Sequence, residues 1–280
     1  MNLAKPTSDI FIPSGDALGP ALQTVTHLGV GAHQDDLEFM AYHGILQCYE
    51  QPGAGFCGVT CTDGAGSPRS GLYARFTDAE MRAIRRKEQR AAAQTGRYKA
   101  IFQLDFSSAE TKPGTNPALV ADLAAILAAT RPRVVYTHNP ADRHSTHVAV
   151  MRHVLAALRG MPPGNRPEAF YGCESWRGLD WMPQTRTQVL DTGGREHLAN
   201  ALYGAFDSQI AGGKRYDLGI QGRNRANATM FASHGVDEMA SATYAMDLMP
   251  LLANPGLDLA EYVGGIIDDF KNEVLANLPP

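Results

Sequence analysis

Between residues 25 and 158, short apolar runs alternate with longer amphipathic ones, and this constrains the fold more than any other feature. Val25–Val30, Phe56–Thr62, Ala100–Leu104 and Arg133–Thr137 have the length and β-branched or aromatic content of buried strands. Helical segments follow them, at 37–46, 77–96, 117–127 and 148–158. The third begins with Pro117 at its first position, where the ring's missing N–H costs nothing. The second opens on Thr77-Asp-Ala-Glu80, a capping box, and Gly96 stops it. A β-α-β-α-β-α-β-α order implies an α/β fold: a Rossmann-like, doubly wound, mostly parallel sheet with helices on both faces. In such sheets ligands bind beyond the carboxyl ends of the strands.

The rest of the chain is less periodic. Residues 1–20 read as a surface arm anchored by Phe11-Ile12. Pro162, Pro163 and Pro167 mark a break; after it 169–173 reads as a strand, 195–210 as helix-like and 258–275 as a closing helix with Asp258 at its N-cap. We read residues 1–280 as one domain, with a core at 21–160 and a C-terminal elaboration, or cap region, at 161–280 that sets substrate specificity. A net charge of −4 with interspersed signs gives no basic stripe for nucleic acid. No apolar run reaches the ~18 residues of a membrane span. Four scattered cysteines do not make a disulfide framework, and the N-terminus has no signal-peptide pattern. The expectation is a cytoplasmic protein acting on a small molecule, with a homo-oligomer left open.

The turn after the first strand, Gly31-Ala-His-Gln-Asp-Asp-Leu-Glu38, carries an imidazole and two adjacent carboxylates. The turn after the fourth, Asn139-Pro-Ala-Asp-Arg-His-Ser-Thr-His147, carries two more imidazoles. His33, Asp36 and His147 make a two-His, one-carboxylate set, which suits a catalytic Zn²⁺ with one open position. Asp35 is adjacent to Asp36 but points elsewhere, and is the natural general base. His144, if protonated, can stabilise an oxyanion or protonate a leaving amine. A His-x-x-His pair alone is usually incidental; two such motifs at the ends of two parallel strands are hard to assign to chance. His27, inside a strand, reads as a satisfied core residue, His43 and His153 as packing or surface residues, and Cys57 and Cys61 as core.

Two further features face the same edge. Asp63-Gly-Ala-Gly-Ser67 is a glycine-rich turn at the end of the second strand, where backbone N–H groups can approach a ligand. On the 77–96 helix, Arg85 and Glu88 fall inside the apolar arc, three residues apart, so they are expected to pair and point inward. Asp63, Arg85 and Glu88 are therefore candidate substrate-binding residues, with a structural ion pair as the alternative for the last two.

The blocks His33-Gln-Asp-Asp36, Thr62-Asp-Gly-Ala-Gly-Ser67, Arg85-x-x-Glu88 with Ala91-Ala-Ala93, and His144-x-x-His147 resemble the PIG-L/LmbE family of zinc-dependent N-deacetylases. They occur in the family's order over roughly residues 25–158. The resemblance implies hydrolysis of the N-acetyl group of an amino sugar or its conjugate, with His33, Asp36 and His147 as zinc ligands, Asp35 as base, His144 on the oxyanion and Arg85 on the substrate. Two positions depart from the pattern: Gln34 replaces a proline, and Thr146 replaces an aspartate, so the carboxylate the family places beside its first histidine is missing. A zinc hydratase or lyase on the same scaffold, or a binding protein with a vestigial site, are the alternatives.

Overall fold

A computed structural model describes residues 1–278. Its frame is one eight-stranded sheet, formed by β1 (Asp9–Phe11), β2 (His27–Gly31), β3 (Phe56–Thr62), β4 (Ala100–Phe106), β5 (Val134–His138), β6 (Ala169–Cys173), β7 (Thr187–Asp191) and β8 (Ala242–Asp247) in the order β1-β4-β3-β2-β5-β6-β8-β7. The central block β4-β3-β2-β5-β6 is parallel. β1 closes one edge antiparallel to β4, and β8 and β7 close the other. The α/β, Rossmann-like reading therefore holds, with an antiparallel finish at both edges.

Both faces of the sheet are covered, and the strands alternate between two cores. Cys57, Val59, Cys61, Phe102 and Leu104 join the core under the helices Pro117–Thr130 and Ser145–Arg159. Phe56 and Ile101 join the opposite core with Leu37, Ala92, Ala93 and Leu202. The capping box at Thr77 forms as read: Thr77 and Glu80 satisfy each other's backbone N–H groups at the start of Asp78–Thr95.

Three local expectations change. The 37–46 helix is two pieces, Asp36–Met40 and Tyr42–Cys48, separated at Ala41. The N-terminal arm is partly a strand, since Asp9–Phe11 pairs with Ile101–Gln103. Past residue 174 the chain contains two strands and the helix Tyr216–Met230, which local periodicity did not mark. Among the described residues, no helix is long and apolar enough to cross a membrane.

The chain adds β3 and β4 on one side of β2, then β5 and β6 on the other. The sheet's switch point thus lies between β2 and β5, and the two histidine-bearing turns leave those two strands.

Candidate metal centre and active site

Gly31 ends β2, and a Cβ there would lie 2.9 Å from the Cβ of Asp36. Glycine lets the next helix begin almost on top of the strand. The turn between them is tight enough to put Asp35 at φ 100°, a region that disfavours any side chain. Two long-range contacts hold it there: the Asp35 N–H donates to Gln89 Oε1 (3.3 Å), and the Asp35 carboxylate lies 3.3 Å from Arg85 Nη2. Gln89 in turn donates to the fully buried Glu38, which also accepts from the Tyr98 hydroxyl.

Three side chains meet at the floor of a cleft. His33 Nδ1 is 3.3 Å from Asp36 Oδ2 and 3.3 Å from His147 Nε2, and His147 Nε2 is 3.4 Å from the other Asp36 oxygen, Oδ1. A tetrahedral ion with arms of ~2.0–2.1 Å separates its ligands by about 3.3–3.4 Å, so these spacings fit a zinc-type ion. Protonation states fit as well. Burial would raise the Asp36 carboxyl, but the His147 and His138 imidazoles hold it well below the usual carboxylate range. Burial keeps His33 below the usual imidazole range, so its lone pair is free. His147 behaves oppositely: burial disfavours its charge, yet Asp36 and Asp142 outweigh that and raise it. Metal binding there would release a proton.

His138 and Asp142, to which the sequence reading gave no role, complete the surroundings. They form a second cluster with His147. The His138 and His147 rings, however, are stacked 3.8 Å apart and only 18° from parallel. Lone pairs lie in the ring planes, so these two cannot converge on one ion. His138 Nε2 also accepts the Ala32 N–H at 3.0 Å. His138 is thus a packing and positioning group. The Asp142 carboxylate lies 3.6 Å from His147 Nδ1, on the side away from the donor cluster, and accepts the backbone N–H groups of His144 and Trp176. A carboxylate behind a ligating imidazole fixes its tautomer and orientation. The available signal was Asp142 itself, two residues before His144.

The cleft has a volume of about 630 Å³ and is lined by His33, Asp35, Asp36, Arg85 and His144. His144 sits beside His33 and stacks on His147. Its Nδ1 is buried without a partner, and so is Thr146 Oγ1. Burial, with His147 and His33 nearby, lowers His144 to about 4. A threonine at 146 supplies no negative charge to reverse that, so the imidazole is neutral near pH 7.

Asp63 and Glu88 are brought close to the cleft but not into its lining. Arg82 takes Asp63 at 2.7 Å, and the Ser208 N–H and hydroxyl take Glu88 at 2.7 and 2.6 Å. The expected Arg85–Glu88 pair is not made: helix Asp78–Thr95 lies where Arg85 reaches Asp35 and the Gln34 carbonyl instead. Gln34 spans Arg85 Nε (3.5 Å) and the Thr62 carbonyl (3.1 Å), and a Cβ at Gly64 would strike it. The glycine turn and the glutamine are thus fitted to each other.

Residues 28–158 match the family model described as PIG-L, GlcNAc-PI de-N-acetylase. No curated protein matches the chain. Among solved structures it is similar to N,N'-diacetylchitobiose deacetylase from Pyrococcus horikoshii (17% identity, TM-score 0.63, covering 88% of this chain and 93% of that one). It is also similar to the 4-carboxy-2-hydroxymuconate hydratase of Pseudomonas putida (18%, TM-score 0.62, 80% and 96%). A conserved protein from Thermus thermophilus is a third (20%, TM-score 0.61, 83% and 98%). At these identities the structures establish a shared fold, and the motif-bearing core of this chain, residues 28–158, is PIG-L/LmbE-like.

Proposed function

We propose that the protein is a metal-dependent hydrolase that removes the N-acetyl or other N-acyl group of an amino-sugar-like substrate. The observation that carries this reading is the cluster His33–Asp36–His147, with spacings of 3.3–3.4 Å, at the floor of a cleft beside a carboxylate that is not part of it. These three residues would hold a zinc-type divalent ion. When bound, such an ion polarises a carbonyl and makes water acidic near pH 7.

The remaining work falls to the chain's own groups. Asp35, held by Arg85 and Gln89, takes a proton from the attacking water at its carboxylate. Burial pushes that carboxyl up to about 7, against the pull of Arg85, which suits a group that must accept and then return a proton. His144, neutral, donates from Nε2 to the oxygen on which charge develops. Arg85 orients Asp35 and also lines the cleft beside the substrate. Residues 161–280 supply much of the cleft's outer wall, including Trp176, Lys214, Tyr216 and Arg223, and so select the substrate.

The test is acetate release from a panel of N-acetyl sugars, with and without chelator. Acetate that appears only when the metal is present supports the reading; none from any substrate overturns it. A hydratase acting on a carbon–carbon double bond remains the second reading, motivated by Thr146 in place of the carboxylate. Gain of water without loss of acetate, read by product mass, would select it.

A further inference from the structure

Glu38 lies fully buried just past Asp36, and the chemistry above gives it no part. Its Oε1 accepts from Gln89 Nε2 at 2.8 Å and from the Tyr98 hydroxyl at 2.7 Å. Its Oε2 is out of solvent and has no partner. A core carboxyl satisfied on one oxygen only is destabilising, so its presence calls for a reason.

Gln89 links that carboxyl to Asp35. It too is fully buried, and an amide has a donor end and an acceptor end. With Nε2 on Glu38, Oε1 faces the Asp35 N–H at 3.3 Å. The flipped amide would set oxygen against the Glu38 oxygen and NH₂ against the Asp35 N–H, two repulsive contacts with no water to relieve them. Glu38 therefore decides which end of the amide the turn meets. Asp35 depends on that choice, because at φ 100° its N–H meets this side chain rather than a backbone carbonyl. Arg85 and Gln89 stand one turn apart on Asp78–Thr95, so one helix face grips Asp35 twice. Arg85 takes its carboxylate at 3.3 Å, and Gln89 takes its backbone. Backbone orientation sets where the Cα–Cβ bond points. Asp35 lines the cleft outside the donor cluster, while the adjacent Asp36 belongs to it.

We infer that Glu38 is a positioning residue for Asp35. By accepting Gln89 Nε2 it fixes the amide so that Oε1 receives the Asp35 N–H, and this keeps the neighbouring carboxylates 35 and 36 turned to different tasks. The inference rests on the hydrolase reading for what Asp35 then does. A base displaced by about 1 Å loses on the order of 10²-fold in rate while substrate binding is spared.

The test is a substitution cycle on the full chain. Glu38→Met has similar length and no acceptor. Glu38→Asp keeps the carboxyl but withdraws it from Gln89 by one methylene. Gln89→Leu removes both ends of the link. With zinc bound and an N-acetyl sugar that the parent hydrolyses, each should lower kcat by about 10–100-fold, with KM and zinc affinity within about threefold of the parent. Glu38→Met combined with Gln89→Leu should be no slower than Gln89→Leu alone, because the two act along one path. In the zinc-free chain, amide hydrogen exchange at Asp35, followed by NMR, should quicken at least ~10-fold in each variant while the β3 amides keep parent rates. Parent-like kcat in both Glu38 variants overturns the inference, as do additive losses in the double variant. So does a fall in zinc affinity or β3 protection in step with kcat, which would make Glu38 a general support of the fold. If Glu38→Met does not fold, Glu38→Asp carries the same comparison. If the parent releases no acetate from any sugar, the hydrolase reading fails, and the Asp35 exchange rates still decide whether Glu38 fixes that N–H. Parent-like acetate release and exchange in Glu38→Asp sink this inference alone.

Discussion

Asp142 offers the sharpest perturbation, because it separates the proposed ligand His147 from the group proposed to orient it. Asp142→Asn removes one charge and little volume. Oδ1 can still accept the His144 N–H, now at 2.8 Å, so the turn keeps one of its two caps. What is lost is a carboxylate 3.6 Å from His147 Nδ1, with both side chains out of solvent. Two full charges at that distance and an effective dielectric of ~20 interact by about 5 kcal/mol. A ligating imidazole is neutral and carries only part of that charge, so the realised effect is smaller. Loss of such an outer carboxylate typically costs 10–100-fold in metal affinity, about 1.4–2.7 kcal/mol. Loss of a true ligand costs more: about 10–16 kcal/mol spread over four ligands is ~2.5–4 kcal/mol each, or roughly 70- to 900-fold. Competition against a chromogenic chelator at fixed pH reads both. Asp142→Asn should weaken zinc by 10–100-fold, and His147→Ala by far more. An Asp142→Asn value within twofold of the parent would show that Asp142 does not act through His147. A loss as deep as that of His147→Ala would make Asp142 a ligand and reverse the choice between the two clusters.

Three further outcomes are expected. Asp35→Asn should keep its metal and lose ~10²–10⁴-fold in turnover; parent-like turnover would remove Asp35 as the base. Gly31→Ala forces a Cβ to 2.9 Å from that of Asp36, so it should cost roughly 1–3 kcal/mol in denaturant unfolding and weaken metal binding together; a loss of stability with metal affinity intact would show that the turn tolerates the shift. Burial lowers His27 and His43 to about 4, below their unfolded value near 6.5. Their contribution is therefore present above ~6.5 and is lost as pH falls toward 4, because the unfolded chain takes up protons that the folded one refuses. Denaturation midpoints across that window should decline, and less steeply in His43→Leu; an unchanged slope would place the acid sensitivity elsewhere.

How much of this was legible in the sequence depended on whether a feature is local. The helix Asp78–Thr95 was read at both ends because Thr77, Glu80 and Gly96 act on backbone within one turn of themselves. The motifs at 33–36 and 144–147 could be placed at a common edge because parallel strands all present their carboxyl ends there. Tyr216–Met230 was missed for the converse reason: two glycines interrupt it, and it buries only Asn224, Asn227 and Ala228, so it has no apolar stripe to read. β8 is a strand through its neighbours β6 and β7, which are distant in sequence. Arg85 was rightly read as inward-facing, but its partner was misassigned, since spacing along one helix names Glu88 while the fold delivers Asp35 from 50 residues away. Likewise, nothing near Glu38 announces Gln89 and Tyr98.

The two strands that carry the donor cluster are neighbours in the middle of the sheet. The Thr137 hydroxyl caps the Val30 carbonyl, and the Thr62 hydroxyl caps that of Ala32. Main-chain pairing and these hydroxyls thus tie the two donor-bearing turns to one frame. Loading is then an event separate from folding: a stripped chain should keep its tertiary structure and be refilled without denaturation, unlike small domains that collapse only around their zinc. If the proposed three side chains and one open position are all that discriminate among divalent ions, the occupant should follow the supply in its surroundings and the general order of complex stability.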